Sequence, residues 1–67
     1  MSVAKVTEIT SRSKESFEHA IKQGIDRVEE TLNNVRSAWI KEQSLTCNDR
    51  GIDEFQVTMK VTFVLED

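Results

Sequence analysis

Residues 55–65, Phe-Gln-Val-Thr-Met-Lys-Val-Thr-Phe-Val-Leu, decide the fold of this chain. Phe55, Val57, Met59, Val61, Phe63 and Leu65 alternate with Gln56, Thr58, Lys60 and Thr62; Glu66 continues the polar series, and Val64 is the exception. Successive side chains of a β-strand point to opposite sides, so a period of two reads as a strand with one face on an apolar layer and one on something polar. Upstream, Asn48-Asp49-Arg50-Gly51 is a cluster of turn-forming residues. Ahead of that turn, Ala38 to Cys47 (AWIKEQSLTC) reads as a second strand, so the two form a long hairpin.

Further upstream the period changes. Phe17, Ala20, Ile21, Ile25, Val28, Leu32 and Val35 recur every three or four residues, which predicts a helix over roughly Lys14 to Asn33 with one apolar stripe. Ser13 is the expected N-cap, Glu15 complements the helix dipole in the first turn, and Asn33-Asn34 is a plausible stop. Gly24 lies on the stripe, where a glycine costs about 1 kcal/mol against alanine; close approach of helix to sheet is the expected return. Glu18 and Lys22 are spaced for a favourable i,i+4 pair, Asp26 and Glu30 for a repulsive one. Val3 to Thr10, rich in β-branched residues, reads as the first strand, with Ser11-Arg12-Ser13 as its punctuation. The order is β-α-β-β, an α+β class: a three-stranded sheet wrapped on one helix. A helical crossover makes the first two strands parallel, and placing the third between them makes both neighbours antiparallel to it. One helix covers one face, so the second face is the natural oligomer or ligand surface.

Sixty-seven residues make one domain, 1–67. A chain of this size buries only about 60% of the surface it exposes when unfolded. It has one cysteine, Cys47, and one histidine, His19, so neither an internal disulfide nor a four-ligand zinc site can staple it. Self-association is the remaining cheap staple. Nine basic and twelve acidic residues give a net charge of −3. Five bases and six acids fall in residues 1–34, four and six in the rest, so neither half has the cationic footprint of a nucleic-acid partner. No stretch is long and apolar enough for a membrane span, the N-terminal residues lack the apolar run of a signal peptide, and a free cysteine suits a reducing, cytoplasmic setting.

Residues that carry chemistry are few. His19 sits beside Glu18 and Lys22, away from the apolar stripe, and reads as a solvated surface histidine. Cys47 reads as an inert, partly buried thiol. Asp49, Asp53 and Glu54 cluster at the hairpin turn without the spacing of a calcium loop. Trp39, the single tryptophan, starts the second strand outside the helix stripe. It is either an interface anchor or a stacking plate for a flat heterocycle. Gln56 lies on the polar face of the third strand; its amide offers donors and an acceptor to a ring edge that alternates C=O and N–H, or is simply solvated.

Against this background the chain resembles the dodecins, a family of small flavin-binding dodecameric proteins, from end to end. The resemblance is carried by Lys5-Val6-Thr7-Glu8-Ile9, the helix from Phe17 to Val35, Ala38-Trp39-Ile40-Lys41-Glu42-Gln43 and, above all, the run from Phe55 to Asp67. It implies a β-α-β-β protomer that assembles into a hollow homododecamer. It also implies that Trp39 stacks on the isoalloxazine, that Gln56 hydrogen-bonds its pyrimidine edge, and that two flavins pack between symmetry-related tryptophans. The ligand implied is riboflavin, FMN or FAD, held for storage or photoprotective quenching; some members also bind coenzyme A. Thr46 and Val64 stand where many bacterial members carry arginines suited to phosphate, and Lys5, Arg36 or Lys41 are the substitutes at hand. Ser11-Arg12 stands where members often have Gly-Thr. A related branch without the tryptophan is linked to calcium, and Trp39 argues against membership there.

The expected function is therefore flavin sequestration by a homo-oligomer, without metal, membrane or nucleic-acid partner. Two other classes stay open: an assembly module without flavin, or one holding a metal or coenzyme A, and an enzyme using flavin for redox chemistry. The last lacks a visible acid–base set.

Overall fold

The computed structural model describes residues 3–65; the expected places of Glu66 and Asp67 lie outside the described residues. Strand β1 (Val3–Ser13) leads into helix α1 (Phe17–Glu29), followed by β2 (Val35–Asn48) and β3 (Gly51–Leu65). The sheet order is β1-β3-β2, and β3 pairs antiparallel with both neighbours, as the crossover argument requires. Pairing runs without a break from Val3↔Leu65 to Ser13↔Phe55 on one side of β3. On the other side it is interrupted by irregularities between Val35 and Ser37, Ile40 and Glu42, and Thr46 and Cys47.

Several boundaries differ from the sequence reading: α1 starts at Phe17 rather than Lys14, β2 spans Val35–Asn48 rather than Ala38 to Cys47, and β3 starts at Gly51 rather than Phe55. β1 runs on through Ser11-Arg12-Ser13, because Ser11 and Ser13 point under the helix and are buried there. The N-cap is Ser16, not Ser13: its backbone is extended and its hydroxyl accepts from the His19 N–H at 3.0 Å. Ser13 instead braces strand to helix, its Oγ accepting from the Glu15 N–H at 2.9 Å and lying 2.7 Å from His19 Nδ1. The helix is shorter than its apolar stripe implies. It ends at Glu29, and Asn34 turns the chain with a φ of +60°. Leu32 and Val35 of the stripe therefore belong to the connection and to β2. Lys22 pairs with Asp26 at 2.9 Å rather than with Glu18, which sets a cation against the Asp26 carboxylate. That hydrogen bond and the Asp26 charge raise the Lys22 pKa above the ordinary lysine value. Among the described residues no helix is long and apolar enough to cross a membrane.

The core is the seam between α1 and the β1–β3 half of the sheet. Ala20, Val57 and Met59 have no exposed surface, and Ile9, Phe17, Ile21 and Ile25 pack around them. Phe17 meets Phe55 edge to face at 5.0 Å. Gly24 is what brings the layers together: a Cβ there would sit 2.7 Å from Met59 Cε and 3.2 Å from Ser11 Cβ. The helix does not extend over β2. Every β2 residue after Val35 is exposed, including Trp39, Ile40 and Leu45. The molecule measures 52 × 20 × 13 Å with a radius of gyration of 13.9 Å, against about 11 Å for a compact chain of this length. Its accessible surface is 5053 Å², several hundred more than the roughly 4,300 Å² of a compact monomer of the same mass. β2, bare on both sides, contributes to this excess.

Candidate functional site on the open sheet face

Register assigns each residue to a side. Val57, Met59, Val61 and Phe63 face the helix, so Gln56, Thr58, Lys60 and Thr62 face the open side. Trp39 pairs with Lys60, Glu42 with Thr58, Ser44 with Gln56 and Thr46 with Glu54, which places all four β2 residues on that side. From β1 come Glu8, Thr10 and Arg12, opposite Lys60, Thr58 and Gln56. The open face is thus a polar sheet surface with one large aromatic, as the alternation in 55–65 implied.

Trp39 is 49% exposed. Its neighbour in register, Lys60, holds its Nζ 5.7 Å from the ring centroid, so one face of the indole carries a cation. Ile40, the next residue, pairs with Met59 and points to the helix side, beyond the helix's reach. Lys41 occupies the irregularity between Ile40 and Glu42 and reaches across the sheet to Glu8, 3.3 Å from Oε1. Thr10 and Thr58 hydroxyls meet at 3.2 Å. Gln56 accepts at Oε1 from Arg12 Nε at 2.7 Å. Sequence reasoning did not find this contact, because it depends on register between strands 44 residues apart.

The structure brings together some of the sequence-predicted residues and separates others. Trp39, Gln56, Lys41 and Thr46 share the open side or its edge. Lys5 pairs with Phe63 and belongs to the helix side, and Arg36 sits in the irregularity that opens β2. Trp39 and Gln56 lie four β3 residues apart, about 14 Å along the strand. One protomer therefore does not close both side chains on the same part of a ring. Grooves of about 430, 470 and 280 Å³ lie against the helix and at its junction with the sheet, and none of these three is lined by Trp39 or Gln56. A pocket that uses both residues needs surface beyond that of one protomer.

The remaining candidates resolve as follows. Cys47 is exposed, not partly buried, because α1 stops short of β2. His19 is half exposed but not merely solvated: Nδ1 lies 2.7 Å from Ser13 Oγ and Nε2 2.8 Å from Glu15 Oε2. A neutral imidazole with its proton on Nε2 satisfies both contacts. The Ser13 hydroxyl in this chain of contacts is buried beneath the helix start. Among the described residues no three His, Cys, Asp or Glu side chains gather closely enough to hold a metal ion, the hairpin carboxylates Asp49, Asp53 and Glu54 included.

Comparison with known proteins agrees with this architecture. Residues 3–66 match the family model described as Dodecin. The chain is 34% identical over 65 residues to the dodecin of Thermus thermophilus, covering 97% of this chain and 94% of that protein. A crystal structure of a variant of that protein superposes with a TM-score of 0.96 at 33% identity, over the whole of both chains. Dodecin from Streptomyces davaonensis gives a TM-score of 0.93 at 38% identity, covering 98% of this chain and 97% of that one. The protein named calcium dodecin from Mycobacterium tuberculosis is 29% identical over 63 residues, 94% of this chain and 89% of its own. With a family match across nearly the whole length and an identical order of strands and helix, the chain belongs to the dodecin family.

Proposed function

We propose that this chain binds flavin (riboflavin, FMN or FAD) between copies of itself in a homododecamer, and that its role is sequestration and quenching without turnover. The observation that carries the proposal is Trp39. It is half exposed on a sheet face that is otherwise polar, and it lies beyond the reach of its own protomer's helix. A flat ring laid on the indole covers apolar surface that the isolated chain leaves wet. Gln56 supplies hydrogen bonds to the ring edge from another part of the same face. Assembly of open faces across symmetry axes supplies both the enclosed pocket and the missing stability of a subunit this small. Photoexcited flavin stacked on indole is quenched by electron donation, a function that needs contact and no acid–base set.

A ligand bound at a seam between folded copies stabilises both fold and assembly. At a free concentration one hundred times its dissociation constant it contributes about 2.7 kcal/mol. Thermal denaturation of the purified oligomer, with and without saturating riboflavin, tests this: the melting temperature rises with riboflavin, and identical melting in both conditions refutes the proposal.

A further inference from the structure

Glu8, Lys60 and Trp39 form one row across β1, β3 and β2 on the open side: Lys60 pairs in register with Glu8 on one side and with Trp39 on the other. Its ammonium therefore has two neighbours within reach. Directly opposed residues of antiparallel strands hold their Cβ atoms about 4.5–5.5 Å apart, and opposite charges placed so attract. Yet Lys60 Nζ lies over the Trp39 ring, 5.7 Å from its centroid, and among the described residues it enters no ion pair. The carboxylate of Glu8 is already engaged, with Lys41 Nζ 3.3 Å from its Oε1. Glu42, the next acid on this side, is opposite Thr58, a diagonal neighbour of Lys60 at about 7–8 Å.

Lys41 reaches Glu8 because of where it sits. It is the extra residue in the irregularity between Ile40 and Glu42, and a bulge of this kind re-aims a side chain. From β2 it crosses β3 to reach β1. One carboxylate with two ammonium groups in reach is a competition, and the lysine that holds Glu8 repels the other. The partner left to Lys60 is the indole face, where the ring quadrupole attracts a cation. Resting on the flavin reading above, we propose that Lys41 is a positioning residue: by holding Glu8 it keeps Lys60 on Trp39, so that the indole face is covered until a flat ring displaces the ammonium. The Lys41–Glu8 pair thereby lowers the affinity of the stacking plate without itself contacting the ring.

Magnetic resonance of protein labelled with carbon-13 at the lysine ε position reads where Lys60 sits, because the indole ring current moves the signal of a methylene held over its face upfield; Lys60→Thr identifies that signal. Riboflavin titration by fluorescence quenching runs in parallel. In Lys41→Gln, Lys60 is expected to move to Glu8: its upfield shift is lost, and riboflavin affinity rises about two- to fivefold, as it does when the Lys60 ammonium is removed outright. In Lys41→Gln combined with Glu8→Gln no carboxylate opposes Lys60, and both the shift and the affinity return to the parent values. Lys41→Arg keeps the ion pair and leaves both in place. Lys41→Met serves the same comparison where Lys41→Gln does not assemble. A merely structural role of the bulge weakens binding in the single and the double variant alike, and that result overturns the inference. An unmoved Lys60 signal in Lys41→Gln also overturns it while the flavin reading stands. Parent protein that takes up no riboflavin overturns the flavin reading, and the Lys60 signal still decides whether Lys41 places the ammonium.

Discussion

Replacing Trp39 with alanine separates a stacking plate from an interface anchor. A tryptophan side chain presents about 150–250 Å², and Trp39 leaves 49% of its surface exposed, so about 100 Å² awaits cover. At about 25 cal/mol per Å² that cover is worth about 2.5 kcal/mol. Stacking of a base on an aromatic side chain, measured by alanine substitution, gives about 1–3 kcal/mol per ring. The two routes describe the same contact and agree, and the resulting loss is roughly a hundredfold in affinity. Titration of riboflavin into parent and Trp39→Ala protein, read by quenching of flavin emission, measures it. Light scattering on the same samples reports whether the oligomer persists, and Trp39→Phe is expected to recover part of the loss. A Trp39→Ala oligomer that stays assembled and binds riboflavin within threefold of the parent refutes the stacking role. Loss of assembly without riboflavin present identifies the indole as an anchor between copies instead.

Other substitutions probe the neighbouring contacts. Gln56→Ala is expected to weaken riboflavin binding by about 1–3 kcal/mol through unpaired ring-edge groups; calorimetric titration checks this, and unchanged affinity removes Gln56 from the site. Lys60→Thr takes the ammonium off the indole face, a contact worth about 0.5–1 kcal/mol at an exposed site. Affinity then rises about two- to fivefold in the same titration, whereas no change means the ring uses the opposite face. Gly24→Ala sets about 1 kcal/mol of helix propensity against overpacking of about 1–3 kcal/mol. Met59 Cε can swing aside, but Ser11 Cβ and Ile9 Cδ1 would stand only 3.2 and 3.3 Å from the new Cβ. A net destabilisation of up to about 2 kcal/mol in urea denaturation is expected, and a more stable variant contradicts the close-approach argument.

The parts of this molecule written in local pattern were legible, and the parts set by contacts between distant segments were not. The alternation around Met59 announced both the core face and the polar face of β3, and the sheet order followed from one crossover. Ser11 and Ser13 misled because serines usually mark turns, yet here they are the small residues over which α1 packs. The apolar stripe overran the helix because Leu32 and Val35 keep its spacing although the helix ends at Glu29 and Asn34 redirects the backbone. β2 shows no period of two, since neither of its sides is covered within the protomer. Trp39 stood out by composition and exposure. Its distance from Gln56 and the Arg12 contact at Gln56 became visible only through strand register.

The bare second strand also determines how damage would spread through a population of chains. A substitution at Ile40 or Leu45, exposed by 38% and 42%, leaves each subunit's own interior intact, yet in the proposed symmetric assembly it would recur once per copy. If the proposed homododecamer forms, two alleles expressed together would give mostly mixed particles, so that a minority of faulty chains would affect a majority of them. Co-expression of tagged and untagged variants would display this as dominance, a genetic signature arising from geometry.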